Sequence, residues 1–247
     1  MNSKEDRFMK NLYRKAEKKL KEIDILTQKD EEDIIKLIGY AILVYDIDKE
    51  YKQAERLVVT AVANMVTKED DYITEFLEDG LLEMLNEVCD FYDFELLDYQ
   101  KEKIIKEAYK GLDFYQRKDK HMNFLENKMK MLAKQILKQN KQGLKETKRT
   151  PLNKNKALIR AIRNLFKAQD TKIQRLFVSE ITRIRNNVFI RENKGKLVIY
   201  NSVLERNTCE ECKQLDGSVF LAEEALDLIP QHANCKCYWT LATGQEL

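Results

Sequence analysis

Two short stretches, "TCEECKQLDGSVF" at residues 208–220 and "PQHANCKCYW" at residues 230–239, decide how this chain is read. Together they hold four of the five cysteines and one of the two histidines in a chain of 247 residues. In a Cys-x2-Cys step a turn lets two thiolates meet one small cation. A second pair of donors about twenty residues later can complete a tetrahedral zinc site of four thiolates, or of three thiolates and one imidazole. The candidate metal ligands are Cys209, Cys212, His232, Cys235 and Cys237. His232 and Cys235 have knuckle-like spacing, whereas Cys235 and Cys237 would point to the same side of an extended strand. The favoured set is Cys209, Cys212, His232 and Cys235, with Cys237 the rival for either of the last two places. Glu210, Glu211 and Asp216 lie close by, but the surplus of soft donors predicts a closed, structural Zn2+ and not a catalytic one. A region this short cannot bury a large core, and a metal supplies the cross-link. The competing account is that the thiols are ordinary buried hydrophobes. A redox pair is disfavoured because no βαβ context surrounds the motif.

Charge divides the chain. Residues 1–100 carry 14 basic against 25 acidic side chains, a net −11, residues 101–200 a net +18, and residues 201–247 a net −5. A basic block between acidic ones points to a polyanion or to acidic protein surfaces as a partner. The lysines of "KDKHMNFLENKMKMLAKQILKQNKQ", in particular Lys128, Lys130, Lys134 and Lys138, are candidate contacts to double-stranded DNA, and a merely solvated helical face is the alternative. Aromatic side chains are not interleaved there as base stacking would require.

The fold expected is mainly α: a helical N-terminal domain, then long helices leading into a small α+β zinc-braced C-terminal module. The boundaries are 1–145 for the acidic-to-basic helical domain, 146–152 for a polar linker ending near Pro151, and 153–247 for the C-terminal domain, with the zinc module at 196–242. Helices are predicted at about 5–24, from Thr27 as cap into "IIKLIGYAILVY", and at about 49–66, 70–91, 93–111 and 113–141. Two further helical segments, 152–169 and 171–193, follow the linker. In the second, Ile173, Phe177, Ile181, Ile184 and Val188 form one apolar stripe, with Lys172, Arg175 and Arg183 predicted on an exposed face. Gly195 ends this helix, "KLVIYNSVLE", "GSVF" and "CYWTL" read as strands, and "AEEALDL" as a short helix between them.

These residues carry a resemblance. Thr208, Cys209, Cys212, Leu215, Asp216, Gly217, Pro230, His232, Asn234, Cys235, Lys236 and Cys237 resemble the C-terminal signature of the phage head-morphogenesis family, the minor head proteins related to protein F of phage Mu. The helix with "SEITRIRNN" fits as well. Lys236 stands where Arg is usual, Glu205 where Asp is usual, and the first strand lacks a preceding Trp. The resemblance implies a non-enzymatic minor capsid protein of a tailed phage or prophage, associated with the portal and other capsid proteins, acting in head assembly or in DNA packaging and ejection. Its place would be the head interior, and the host cytoplasm during assembly. No apolar run is long enough to cross a membrane, and "MNSKEDRFMK" has no signal-peptide core, so a membrane partner is not expected.

Two other functions compete. A zinc-braced nuclease needs a catalytic His beyond its metal ligands, and His232 is alone near the cluster. A zinc-braced nucleic-acid-binding protein would present basic residues from the knuckle, where only Arg206, Lys213 and Lys236 are available. His121, Cys89 and the aromatics Phe91, Tyr92, Phe94 and Tyr99 read as surface, core or partner-contact residues; no Gly-rich phosphate loop or nucleophile elbow accompanies them.

Overall fold

The computed structural model describes residues 4–143, 156–203 and 208–242; the linker expected at 146–152 lies outside the described residues. The described chain is mainly helical and ends in a small antiparallel sheet. Its elements are α1 (Lys4–Val44), α2 (Ile47–Tyr92), α3 (Asp98–Lys106), α4 (Phe114–Gly143), α5 (Lys156–Glu192), β1 (Leu197–Asn201), α6 (Glu210–Leu215), β2 (Val219–Leu221), α7 (Ala222–Ala225) and β3 (Tyr238–Leu241).

The helices are longer than the sequence punctuation predicts. Thr27 does not open a helix: α1 runs through it without a break, and the segments expected at 49–66 and 70–91 are one helix, α2. Acids and a hydroxyl favour a helix start but do not enforce one, and an apolar stripe that continues across them keeps the chain helical. In α2 that stripe is Val58, Val62, Val66, Ile73, Leu77, Leu81 and Val88, all buried. The break between α1 and α2 is made by Asp46, whose Oδ1 accepts the Asp48 N–H at 3.2 Å, while Glu50 Oε2 accepts the Asp46 N–H at 3.0 Å. The helix expected at 93–111 shrinks to α3. After it, Lys110 (φ 50°) and Gly111 (φ 78°) form a two-residue turn between Tyr109 and Leu112. Then Asp113 and Gln116 exchange side-chain bonds to each other's backbone N–H, at 2.7 and 3.0 Å, and start α4.

Two compact units result. One comprises Met1–Lys19, Phe76–Arg117 and Gln174–Leu247; the other comprises Leu20–Glu75 and Lys118–Ile173. Each takes residues from both sides of 146–152.

In the first unit α1, α2 and α5 pack closely: Phe8 stacks on Phe91 at 3.9 Å, and a Cβ on Gly80 would come within 2.7 Å of Phe177 Cζ, so the α2–α5 approach requires glycine there. The two segments expected at 152–169 and 171–193 are a single helix, α5. The exposed face expected on its second half is kept at Arg175, with Lys172 half-buried, but not at Arg183: residues 180–190 are all buried, Arg183 completely. The reason is pairing. Glu180 accepts Arg117 Nε at 2.9 Å and Arg183 Nε at 2.9 Å, and Arg183 also donates to the Ile104 and Ile105 carbonyls at 3.0 and 3.1 Å, at the end of α3.

The second unit holds Lys118, nearly buried against Asp70 at 2.5 Å and Thr74 at 2.7 Å. It also buries Glu69, whose carboxyl is pushed up to about 8 by loss of solvation and by its hydrogen bond with Asp30. An acid whose folded pKa is raised binds more protons when folded than when unfolded between the two values. Stability should therefore fall as pH rises from about 4.5 to about 8. Thermal denaturation across that range should show the decline in the native protein and a flatter profile in Glu69→Gln; an unchanged slope in the variant would exclude Glu69 as its source.

Gly195 (φ 75°) follows α5, as expected. The sheet has order β2-β1-β3, antiparallel throughout, with Val198 opposite Phe220 and Tyr200 opposite Trp239. Trp239 is completely buried, met edge-on by Tyr200 and Phe220 at 5.2 and 5.5 Å. Among the described residues, no helix is long and apolar enough to cross a membrane.

Candidate metal centre

The "CEEC" turn is a helix start. Cys209 is the N-cap of α6, and its Sγ accepts the Cys212 N–H at 3.3 Å. An N-cap residue and the residue three positions later face each other across the first turn, which is why this spacing converges two sulfurs. "LDG" then anchors the turn: Asp216 Oδ1 accepts the Ser202 N–H at 2.6 Å, and Gly217, at φ 78°, donates to the Tyr200 carbonyl at 2.9 Å.

All five candidate ligands meet in two overlapping groups, Cys209–Cys212–His232 and Cys212–Cys235–Cys237, whose donor atoms lie within 4.8 Å of one another in each group. Cys212 belongs to both. Its Sγ is 3.4 Å from His232 Nε2 and 3.9 Å from Cys235 Sγ. A tetrahedral ion with bonds of roughly 2.0–2.3 Å separates its ligand atoms by about 3.3–3.8 Å, so these distances suit a shared cation. They are far too long for a disulfide, and all five cysteines are free.

The protonation pattern fits the same reading. Burial pushes the Cys212 thiol up to about 12, and Cys235 is raised by its hydrogen bond to Cys237 together with burial. Cys237 is held down at about 5, first by the Cys235 thiol and then by Tyr200 and Cys212. Among these three buried sulfurs, burial and mutual contact oppose a second negative charge, which a bound cation would offset. His232 is prepared as well. Its Nδ1 lies 2.9 Å from the Ala233 carbonyl, which can only accept, so Nδ1 is the donor and Nε2 is the ring nitrogen that faces Cys212. His232 is exposed and Cys209 half-buried, whereas Cys212, Cys235 and Cys237 are buried. A cavity of about 490 Å³, lined also by Arg175, Thr208 and Asn234, opens over the cluster. The residues around 209–237 could hold a metal ion.

What the sequence did not disclose is how the loop from Pro230 to Trp239 is fastened. Helix α5 supplies most of the ties. Ser179 Oγ accepts the Asn234 N–H at 2.9 Å, Thr182 Oγ1 donates to the Cys235 carbonyl at 2.7 Å, and Arg185 donates to the Trp239 carbonyl at 2.8 Å. The Asn186 amide donates to the Cys237 carbonyl at 3.0 Å and accepts the Trp239 N–H at 3.1 Å. One side-chain amide thus pairs with the backbone as a neighbouring strand would. The Tyr109–Leu112 turn adds Tyr109 on the Pro230 carbonyl and Lys110 on the Gln231 carbonyl at 3.2 Å. The only advance signal was "TRIRNN", a run of polar residues inside an apolar periodicity.

The candidate DNA contacts are placed differently. They lie on α4, where Lys130 pairs with Glu126, Lys134 pairs with Glu55 at 3.0 Å, Lys128 lies over the Phe124 ring at 5.8 Å, and Lys138 is exposed. Two of the four ammonium groups are thereby neutralised by neighbouring carboxylates.

Residues 153–240 match the family model described as Phage Mu protein F like protein, which supports assigning this part of the chain to the phage head-morphogenesis family. Residues 1–152 lie outside the match. No curated protein and no solved structure matches the chain.

Proposed function

We propose, from the match of residues 153–240 to the Phage Mu protein F like family model, that this protein is a minor head protein of a tailed phage or prophage, associated with the portal and other capsid proteins and non-enzymatic, whose C-terminal module is braced by one structural zinc ion. The observation that carries the reading is the convergence of Cys209, Cys212, His232, Cys235 and Cys237 inside the matched segment, all within two groups that share Cys212. Bound zinc would supply a cross-link between α6 and the loop leading into β3. Cys209, Cys212, His232 and Cys235 are the preferred ligands, because Nε2 of His232 is the ring nitrogen that faces Cys212 and because the Cys212–His232 and Cys212–Cys235 separations suit one ion. Cys237 is then the sulfur held beside the site by Cys235 and Tyr200.

A portal contact is better matched by protein surfaces than by DNA. The first 100 residues carry a net −11 and repel a polyanion, and half of the lysine set on α4 is already paired. Mass spectrometry of purified procapsids and mature particles should find the protein at low stoichiometry, and cross-linking should recover it with the portal. Absence from both kinds of particle would sink the head-protein reading.

A further inference from the structure

We propose that the N-terminal helix α1, which lies outside the family match, is a working part of the metal centre: Tyr13 and Thr182 form a hydroxyl relay that positions Cys235. The proposal rests on reading the cluster as a metal site.

The direction of the relay follows from the donors available. Thr182 Oγ1 is 2.7 Å from Tyr13 Oη, 2.7 Å from the Cys235 carbonyl and 2.9 Å from the Val178 carbonyl. A threonine hydroxyl has one proton, and both carbonyls can only accept it. Tyr13 is therefore the donor to Thr182, and the single Thr182 proton goes to the nearer of the two carbonyls, that of Cys235. Tyr13 is 5% exposed and Thr182 0%, so water does not substitute for either partner. One turn further along α1, Glu17 pairs with Lys236 at 3.7 Å, and the Lys236 ammonium lies 5.5 Å from the centre of the Tyr13 ring. Positions i and i+4 of α1 thus hold two consecutive residues of the metal loop, on the same face of the helix.

This arrangement makes metal uptake and the seating of α1 one equilibrium. Ordering Cys235 for a cation orders Thr182 and Tyr13, and loosening α1 releases the carbonyl next to a ligand. By linkage, whatever α1 gains from bound metal, the metal gains from a seated α1. Tyr13 and Thr182 are positioning residues, since neither touches the ion.

The test uses the full chain and zinc alone, titrated against a competing chelator, with hydrogen exchange read over residues 4–19. In the wild type, zinc should slow exchange in that segment. Tyr13→Phe and Thr182→Val should each weaken zinc affinity by about 2- to 10-fold, the range a single hydrogen bond supports. The double variant should lose less than the product of the two, because both break one chain of bonds. Thr182→Ser, which keeps the hydroxyl, should restore wild-type affinity. A general loss of stability would lower the melting temperature without this pattern. Folded variants that both bind zinc within about twofold of wild type, or zinc binding that leaves residues 4–19 unprotected, would overturn the relay alone. Failure of the wild type to take up zinc would overturn the relay together with the metal reading.

Discussion

Replacing Cys212 with Ser should reduce bound zinc from about one ion per chain to almost none, the largest effect of any single ligand change in this protein. Each of the other four candidates belongs to one group of donors, but Cys212 belongs to both. Its sulfur also receives the Tyr200 hydroxyl at 3.5 Å and sits 1% exposed in the core formed by Phe189, Val198, Ile229 and Trp239. A serine oxygen is a harder and shorter ligand, and it could not reach His232 and Cys235 together. The same change at Cys209 or Cys237 should cost less, because five donors compete for four positions. Metal analysis of protein purified without chelator ranks the variants. Full occupancy in Cys212→Ser would rule the cluster out as the binding site. Apparent binding free energies of structural zinc are roughly 10–16 kcal/mol in small peptides, so chelation should unfold α6 and the loop before β3 first, as increased thiol reactivity.

Glu180→Ala should destabilise the first unit by about 3–5 kcal/mol, the usual penalty for removing one partner from a buried charge pair. Here one carboxylate serves two guanidiniums: Arg117 NH2 is 2.7 Å and Arg183 Nε 2.9 Å from it, with Glu180 2% and Arg183 0% exposed. For a chain of this size that corresponds to a fall in melting temperature of roughly 6–20 °C. Adding Arg183→Met to Glu180→Ala should recover part of the loss, because an apolar side chain of similar length needs no partner. A loss below about 1 kcal/mol in Glu180→Ala would mean that water reaches the site and solvates the arginines.

The same residues show where the sequence could be read and where it could not. The three strands, the end of α5 before Gly195 and the five converging donors were legible because each leaves a local mark: β-branched runs, a glycine, a cysteine spacing. Thr27 misled because capping chemistry is local, whereas the helix was continued by packing that involves distant residues. Arg183 misled for a related reason. An arginine off the apolar stripe is ordinarily solvated, and its burial depends on Glu180, on Glu107 at 3.9 Å and on carbonyls of α3 some eighty residues earlier. The ties from Thr182 and Asn186 to the loop before β3 were marked only by the polar run "TRIRNN", which names no partner, since a bond from a side chain to a remote backbone group imposes no pattern on the stretch that receives it.

The pairing of Asn186 with the backbone of Cys237 and Trp239 also limits how this protein can be recognised. A three-stranded sheet ordinarily offers its outer strands to any extended peptide, and β3 is an outer strand. Here the N–H of Trp239 and the carbonyls of Cys237 and Trp239 are consumed by Asn186 and Arg185. An extended tail from another protein therefore finds no open row of main-chain groups along this part of the edge and cannot lengthen the sheet there. A partner docking along β3 would have to read side chains there, so its hold would be sensitive to surface substitutions and indifferent to strand register.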